Sequence, residues 1–202
     1  MRGGAGRTGT GAAGPRPGAG LRPVAILLLA VLAALADAVA AALSAIQPSH
    51  AAYFKANAAA FAASLKPLTA AIASFKSAYP GTAVATTEPV ADYLLTALGA
   101  DSLTPWAFQA DTMNGVDPSP QNVAAQRALF TQHKVRAFLY NEQVTDTLTQ
   151  SFIALAEQNH IPVVGVYETM PEPGYDYQTW MRAEVLDLRT AVADQVSTGP
   201  LG

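Results

Sequence analysis

Two stretches of this chain read as short strands that end on a glutamate close to a proline. One runs Ala83-Val84-Ala85-Thr86-Thr87-Glu88-Pro89, the other Val163-Val164-Gly165-Val166-Tyr167-Glu168-Thr169-Met170-Pro171. In an open parallel α/β sheet, ligands bind in the crevice beyond the carboxyl ends of the strands. Carboxylates at both ends are therefore placed where a cation or a polar ligand would sit. Asn141 closes a third such stretch, Val135 to Tyr140, in the same way. A neutral amide there can hydrogen-bond to a carboxylate beside it without like-charge repulsion. Each acid also has a plainer reading. Pro89 suits the first position of a helix, so Glu88 reads equally as a cap whose charge the helix N-terminus favours. Glu168 reads equally as a solvated loop carboxylate.

Other chemistries find less support. Paired carboxylates can run glycoside hydrolysis, but no aromatic sugar platform can be argued. There is no Gly-rich phosphate loop, and no Gly-x-Ser-x-Gly elbow. The absence of cysteine excludes disulfides, thiolate-bound zinc, a thiol nucleophile and a lipid-modified cysteine. The three histidines, His50, His133 and His160, stand at no metal-ligand spacing and read as helix-end or loop residues. A formal charge of −3, with basic residues scattered after Arg22, gives no electrostatic case for nucleic acid.

The elements that must position these residues follow from patterning. With 202 residues, half of them hydrophobic, the chain can bury one ordinary core. Residues 1–36 begin with a Gly-, Arg- and Pro-rich stretch and continue into the apolar run Val24 to Ala36. That succession resembles a secretory signal; a membrane anchor and an ordinary buried helix are the alternatives. Against a signal, the run merges without a turn into Ala38 to Ile46. Residues 37–79 read as linker helices. Phe54, Phe61, Leu68 and Phe75 recur every seven residues, with Leu65, Ile72 and Tyr79 between them, which makes one apolar stripe. From Ser49 to Ala78 such a helix would span about 45 Å, with a kink or restart at Pro67 and an end at Pro80-Gly81.

Residues 80–196 then alternate strand and helix. The strand ending at Glu88 leads into a helix from Val90 to Leu98, closed by Gly99. Leu103 to Val116 is poorly patterned and has room for a short strand. A helix from Pro118 to His133 is capped by Ser119 or Asp117; the strand Val135 to Tyr140 is followed by a helix from Asp146 to Gln158. The strand Pro162 to Tyr167 and a last helix from Tyr177 to about Ala193 complete the series. Residues 197–202 read as a frayed tail. Alternation of this kind predicts an α/β fold. The expected form is a small, mostly parallel four-stranded sheet flanked by helices, with a long linker helix along one side.

Taken together, these blocks resemble the C-terminal lobe of the zinc/manganese solute-binding proteins of ABC transporters. Thr86-Thr87-Glu88-Pro89-Val90-Ala91-Asp92-Tyr93-Leu94 resembles the block that usually carries a histidine ligand. Asp117-Pro118-Ser119-Pro120 resembles a Glu-Pro-Ser helix start. Asn141-Glu142-Gln143-Val144 resembles a Glu-Pro-Gln-Val strand end. Ile161-Pro162-Val163-Val164 leads to the last ligand position, here Glu168, and Tyr177 to Met181 resembles the opening of the terminal helix. Pro48 to Lys66 resembles the start of the linker helix. The resemblance implies that Glu88 and Glu168 are metal ligands, with Asn141 behind them where the family often has a carboxylate. With glutamate in place of histidine, manganese gains plausibility beside zinc. It further implies a monomeric, extracytoplasmic, non-enzymatic protein that hands its cation to an ABC permease. The family's first lobe, with its two further histidine ligands, has no counterpart in this sequence, so an incomplete site is expected. A hydrolase-like domain using Glu88 and Glu168 as acid and base, and a non-binding adhesion or structural module, are the competing expectations.

Overall fold

The computed structural model describes residues 24–171 and 174–201, with side chains from Val31 onward. Of the predicted signal-like segment 1–36, the basic stretch through residue 23 lies outside the described residues.

Four short strands form the sheet: β1 (Ala83–Thr86), β2 (Asp101–Ser102), β3 (Ala137–Asn141) and β4 (Val163–Val166). All pairings are parallel, in the order β2-β1-β3-β4. The register sets Thr86 beside Leu139 and Asn141 beside Val166. The ends of β1, β3 and β4 thus share one edge. The α/β sheet expected from the sequence is present. The short strand differs in place: it is β2, just before the segment expected to hold it, and Trp106–Met113 is helical. A two-residue strand is too short to show a period of two, and Pro105 at the N-cap starts a helix there instead.

The helices are α1 (Val24–Ile46), α2 (Ala51–Ser64), α3 (Lys66–Ala78), α4 (Asp92–Leu98), α5 (Trp106–Met113), α6 (Pro120–Thr131), α7 (Thr147–Gln158) and α8 (Tyr177–Asp194). Side chains on a strand alternate between faces, and the sheet separates two apolar layers accordingly. Val84, Leu139, Val164 and Val166 pack with Leu68, Ile72 and Phe75 of α3, Leu95 and Leu98 of α4, and Val185 and Leu188 of α8. Ala85, Phe138 and Val163 pack on the opposite side with Phe108, Phe130 and Phe152 from α5, α6 and α7. There the rings of Phe130 and Phe138 meet edge to face at 5.0 Å, and those of Phe108 and Phe152 at 5.5 Å.

Local chemistry explains where elements start and stop. Ser119 accepts the Asn122 N–H to open α6, and Asp146 accepts that of Thr149 to open α7. Asp176 and Thr179 form a reciprocal capping box on α8. Gly99, at φ +68°, lets the chain reverse after α4 in the left-handed region that residues with a Cβ avoid.

The long linker is divided at Leu65, where α2 gives way to α3 two residues before Pro67. Only the α3 half of its stripe reaches the main core. Phe54 and Phe61 are half-buried, and Ala58 is the buried residue of α2. Helix α1 packs on α2 and α4 and runs unbroken across Ala36 and Asp37. Its face carrying Val31, Leu35, Val39, Leu43 and Ile46 is exposed.

The expected frayed tail is a further correction. Thr198 N donates to Val163 O at 3.1 Å, Ser197 Oγ accepts from Val163 N at 2.9 Å, and Leu201 N donates to the Tyr167 hydroxyl at 2.6 Å. The tail therefore lies along the free edge of β4 and satisfies part of an otherwise open strand edge.

Candidate metal centre

The end of β1 is built from neutral polar groups. Thr86 exchanges hydrogen bonds with Thr104 (N to Oγ1 at 2.8 Å, Oγ1 to O at 3.1 Å). Gln126, fully buried, donates to Thr86 O at 2.9 Å, and Gln109 donates to Thr86 Oγ1 at 2.7 Å. Thr87 continues the ladder by donating to Leu139 O, while its hydroxyl accepts the Asn141 N–H at 3.2 Å. Gln109 also reaches Asp92 at 3.2 Å. Burial raises the Asp92 carboxyl above its ordinary range, and the Gln109 hydrogen bond opposes that shift.

This scaffold delivers Glu88 to the C-terminal edge in extended backbone, 8% exposed. The chain turns at once through the short 3₁₀ segment Pro89–Ala91 into α4. Glu88 occupies the cap position of that turn, but its side chain makes no capping hydrogen bond. Oε2 instead accepts from Asn141 Nδ2 at 2.9 Å. The cap reading is thereby corrected: the carboxylate is turned to the end of β3. Asn141 is 1% exposed, and its Oδ1 accepts the backbone N–H of Gln143 at 3.0 Å. That bond fixes which way round the amide faces, so Nδ2 points to Glu88.

Glu168 follows the end of β4 on the same edge. Its side chain is exposed, as in the solvated-loop reading. What holds it is its backbone: Glu168 N and Thr169 N both donate to Gln143 Oε1, at 2.9 and 2.8 Å. The structure thus joins Glu88 to Asn141 by their side chains, whereas the Glu168 carboxylate has no such link to either. Among the described residues, no group of three or more His, Cys, Asp or Glu side chains is placed to hold a metal ion.

Two residues of this edge escaped the reading of the sequence. Gln143 was legible only as part of a strand-end block. Glu184, on α8 between Met181 and Val185, is 4% exposed. It accepts from Tyr167 N at 3.0 Å and from Trp180 Nε1 at 2.9 Å. Burial pushes its carboxyl up to about 7, against the lowering effect of both hydrogen bonds. A glutamate inside an apolar helical stripe, four residues after a tryptophan, was the available signal. The Tyr140 hydroxyl bonds to the Glu142 carboxylate, which lies against Gly165. An open pocket near the starts of α6 and α7 is lined by Asp117, Asp146, Thr147, Leu148 and Ser151, and by none of the three candidate residues.

A parallel sheet with helices on both faces carries acidic and amide groups beyond its strand ends, where ligands of open α/β sheets bind. The family model for ZnuA, the periplasmic zinc-uptake complex component A, matches residues 27–191, and the chain belongs to that family. No curated protein matches the sequence. Among solved structures, the chain is similar to the solute-binding protein FpvC of Pseudomonas aeruginosa in complex with Mn²⁺, at 19% identity and a TM-score of 0.56, covering 78% of this chain and 58% of that one. It is likewise similar to the laminin-binding protein Lbp of Streptococcus pyogenes, at 19% identity and TM-score 0.58, covering 76% and 59%. A third likeness is the Mn-bound periplasmic metal-binding protein of Candidatus Liberibacter asiaticus, at 17% identity and TM-score 0.56, covering 83% and 60%. The chain therefore spans under two thirds of the length of these structures, and at such identities they establish the fold.

Proposed function

We propose that this chain captures a divalent metal cation, zinc or manganese, at the C-terminal edge of its sheet for import by an ABC permease. The observation that carries the reading is the environment of Glu88. The residue is buried at the C-terminal end of β1, and its side-chain partner among the described residues is a neutral amide, Asn141. A buried carboxylate without a cation is costly, and a bound dication would offset that cost. Family membership supports a metal ion as that cation. Glu88 and Glu168 are the proposed ligands, with Asn141 orienting Glu88. We read the lobe as acting outside the cytoplasm, as a monomer and by coordination rather than catalysis.

Two carboxylates are fewer than the four ligands of a closed zinc site, so capture by this chain alone is weak. The test is calorimetric titration of the full chain with manganese(II) and zinc(II), set beside Glu88→Gln and Glu168→Gln. Saturable binding that each substitution weakens supports the site. Isotherms identical in all three proteins would place any metal elsewhere and overturn it.

A further inference from the structure

We propose that Gln143 is the positioning residue of this site, clamping the segment that carries Glu168 to the end of β3 while fixing Asn141 toward Glu88; the inference rests on the cation-capture reading. Gln143 follows β3 in an exposed turn, where an amide side chain would ordinarily be left to water. Here all of its hydrogen-bonding capacity goes to one neighbouring segment. Oε1 accepts from Glu168 N at 2.9 Å and Thr169 N at 2.8 Å. Nε2 donates to Thr169 Oγ1 at 2.8 Å and to Thr169 O at 3.2 Å. A carboxamide has two acceptor lone pairs and two donor hydrogens, and these four contacts occupy them.

The segment so held has no regular structure after β4 ends at Val166. Glu168 and Thr169 are both exposed. Gln143 is what ties that backbone to the middle strand. Its main-chain N–H meanwhile donates to Asn141 Oδ1 at 3.0 Å, which turns Asn141 Nδ2 to Glu88 Oε2. One residue therefore reaches both strand ends: the Glu88 carboxylate through its own backbone and Asn141, and the Glu168 backbone through its side chain. Substitution to alanine separates these roles, because it removes the clamp on Glu168 and keeps the N–H that orients Asn141.

The experiment is a double-substitution cycle on the full chain, titrated with manganese(II) and read by the paramagnetic resonance signal of the free ion. Gln143→Ala should weaken binding about ten-fold, within the range for partners that orient metal ligands. In a Glu168→Gln background the same change should add less than about two-fold, because the residue acts through Glu168. The thermal unfolding midpoint should stay that of the wild type. A merely structural role would lower the midpoint and weaken both backgrounds equally, and that result, or wild-type affinity in Gln143→Ala, overturns the proposal. Hydrogen exchange at the Glu168 and Thr169 amides, measured without metal, tests the clamp alone: it should accelerate in Gln143→Ala, and unchanged exchange also overturns the proposal. Failure of the wild-type chain to bind either metal, with exchange accelerated as expected, would instead refute cation capture and leave the clamp standing.

Discussion

The ends of β1 and β4 lie on one edge of one sheet and are secured by different chemistry. At β1, buried uncharged groups do the work: Thr104, Gln109, Gln126 and Asn141 hold Thr86, Thr87 and Glu88, with the partly exposed Asp92 at the margin. At β4, the backbone of Tyr167 hangs on a carboxyl that titrates, Glu184, and that of Glu168 on an exposed amide, Gln143. The β1 end is therefore set by buried, uncharged hydrogen-bonding groups. The β4 end is set by a group whose ionisation changes near neutrality. The two ends of one edge thus differ in what fixes their backbone: buried amides and hydroxyls at β1, a titrating carboxyl and an exposed amide at β4.

The largest expected effect probes the titratable side of that contrast. Glu184 has its carboxyl raised from 4.5 to about 7, first by burial and then by the negative charge of Asp187. The folded state thus holds a proton that the unfolded chain releases between those values. The resulting stabilisation is complete below pH 4.5 and is lost as pH rises through about 7. Its full size is on the order of 3 kcal/mol. Glu184→Gln keeps a carbonyl to accept from Tyr167 and Trp180 but removes the proton. Urea unfolding between pH 4.5 and 7.5 should show a slope in the wild type that is flattened in the variant. Equal slopes would mean that Glu184 does not titrate in this window.

Next in size is Glu88. Glu88→Ala leaves the buried Asn141 Nδ2 without its acceptor and should cost about 1–3 kcal/mol of stability. Glu88→Gln retains an oxygen in place and should cost less. Denaturant midpoints of the two variants check the order. If both cost the same, the hydrogen bond to Asn141 is not what fixes this end.

How far the sequence reveals this edge depends on the kind of interaction. The strands, the helix starts at Ser119 and Asp146, the reversal at Gly99 and the interruption near Pro67 are local and carry residue-type signals. Asn141 stands out because its strand end can be aligned with that of Glu88. Gln143 and Glu184 do not, since each acts on backbone groups some 20 residues away in sequence, and a backbone N–H leaves no mark on residue identity. The two-residue β2 and the tail docked on β4 were missed for a related reason. Each is held by ladder hydrogen bonds rather than by a patterned apolar face.

A medium effect is expected within β4 itself. A Cβ on Gly165 would come within 2.8 Å of Glu142 Oε2, so Gly165→Ala must displace that carboxylate from Tyr140. Burial and the Glu142 charge both hold the Tyr140 hydroxyl well above its ordinary range. Moving Glu142 away should therefore lower the tyrosine titration, followed by ultraviolet absorbance, and cost about 1 kcal/mol. An unchanged titration would show that Glu142 shifts without releasing Tyr140.

The smallest expected effect on stability is the one that separates folding from binding. Glu168 is exposed, and its backbone N–H, not its carboxylate, bonds to Gln143. Glu168→Ala keeps that N–H and should change stability by no more than about 0.5 kcal/mol, well short of Glu88→Ala. Yet if both acids hold the cation, the two variants should lose manganese binding alike. Matched loss of affinity with unmatched loss of stability would identify Glu168 as a ligand supplied by a segment that folding does not need. Should Glu168→Ala instead unfold as readily as Glu88→Ala, the carboxylate would have a structural partner. The two strand ends would then be built in the same way.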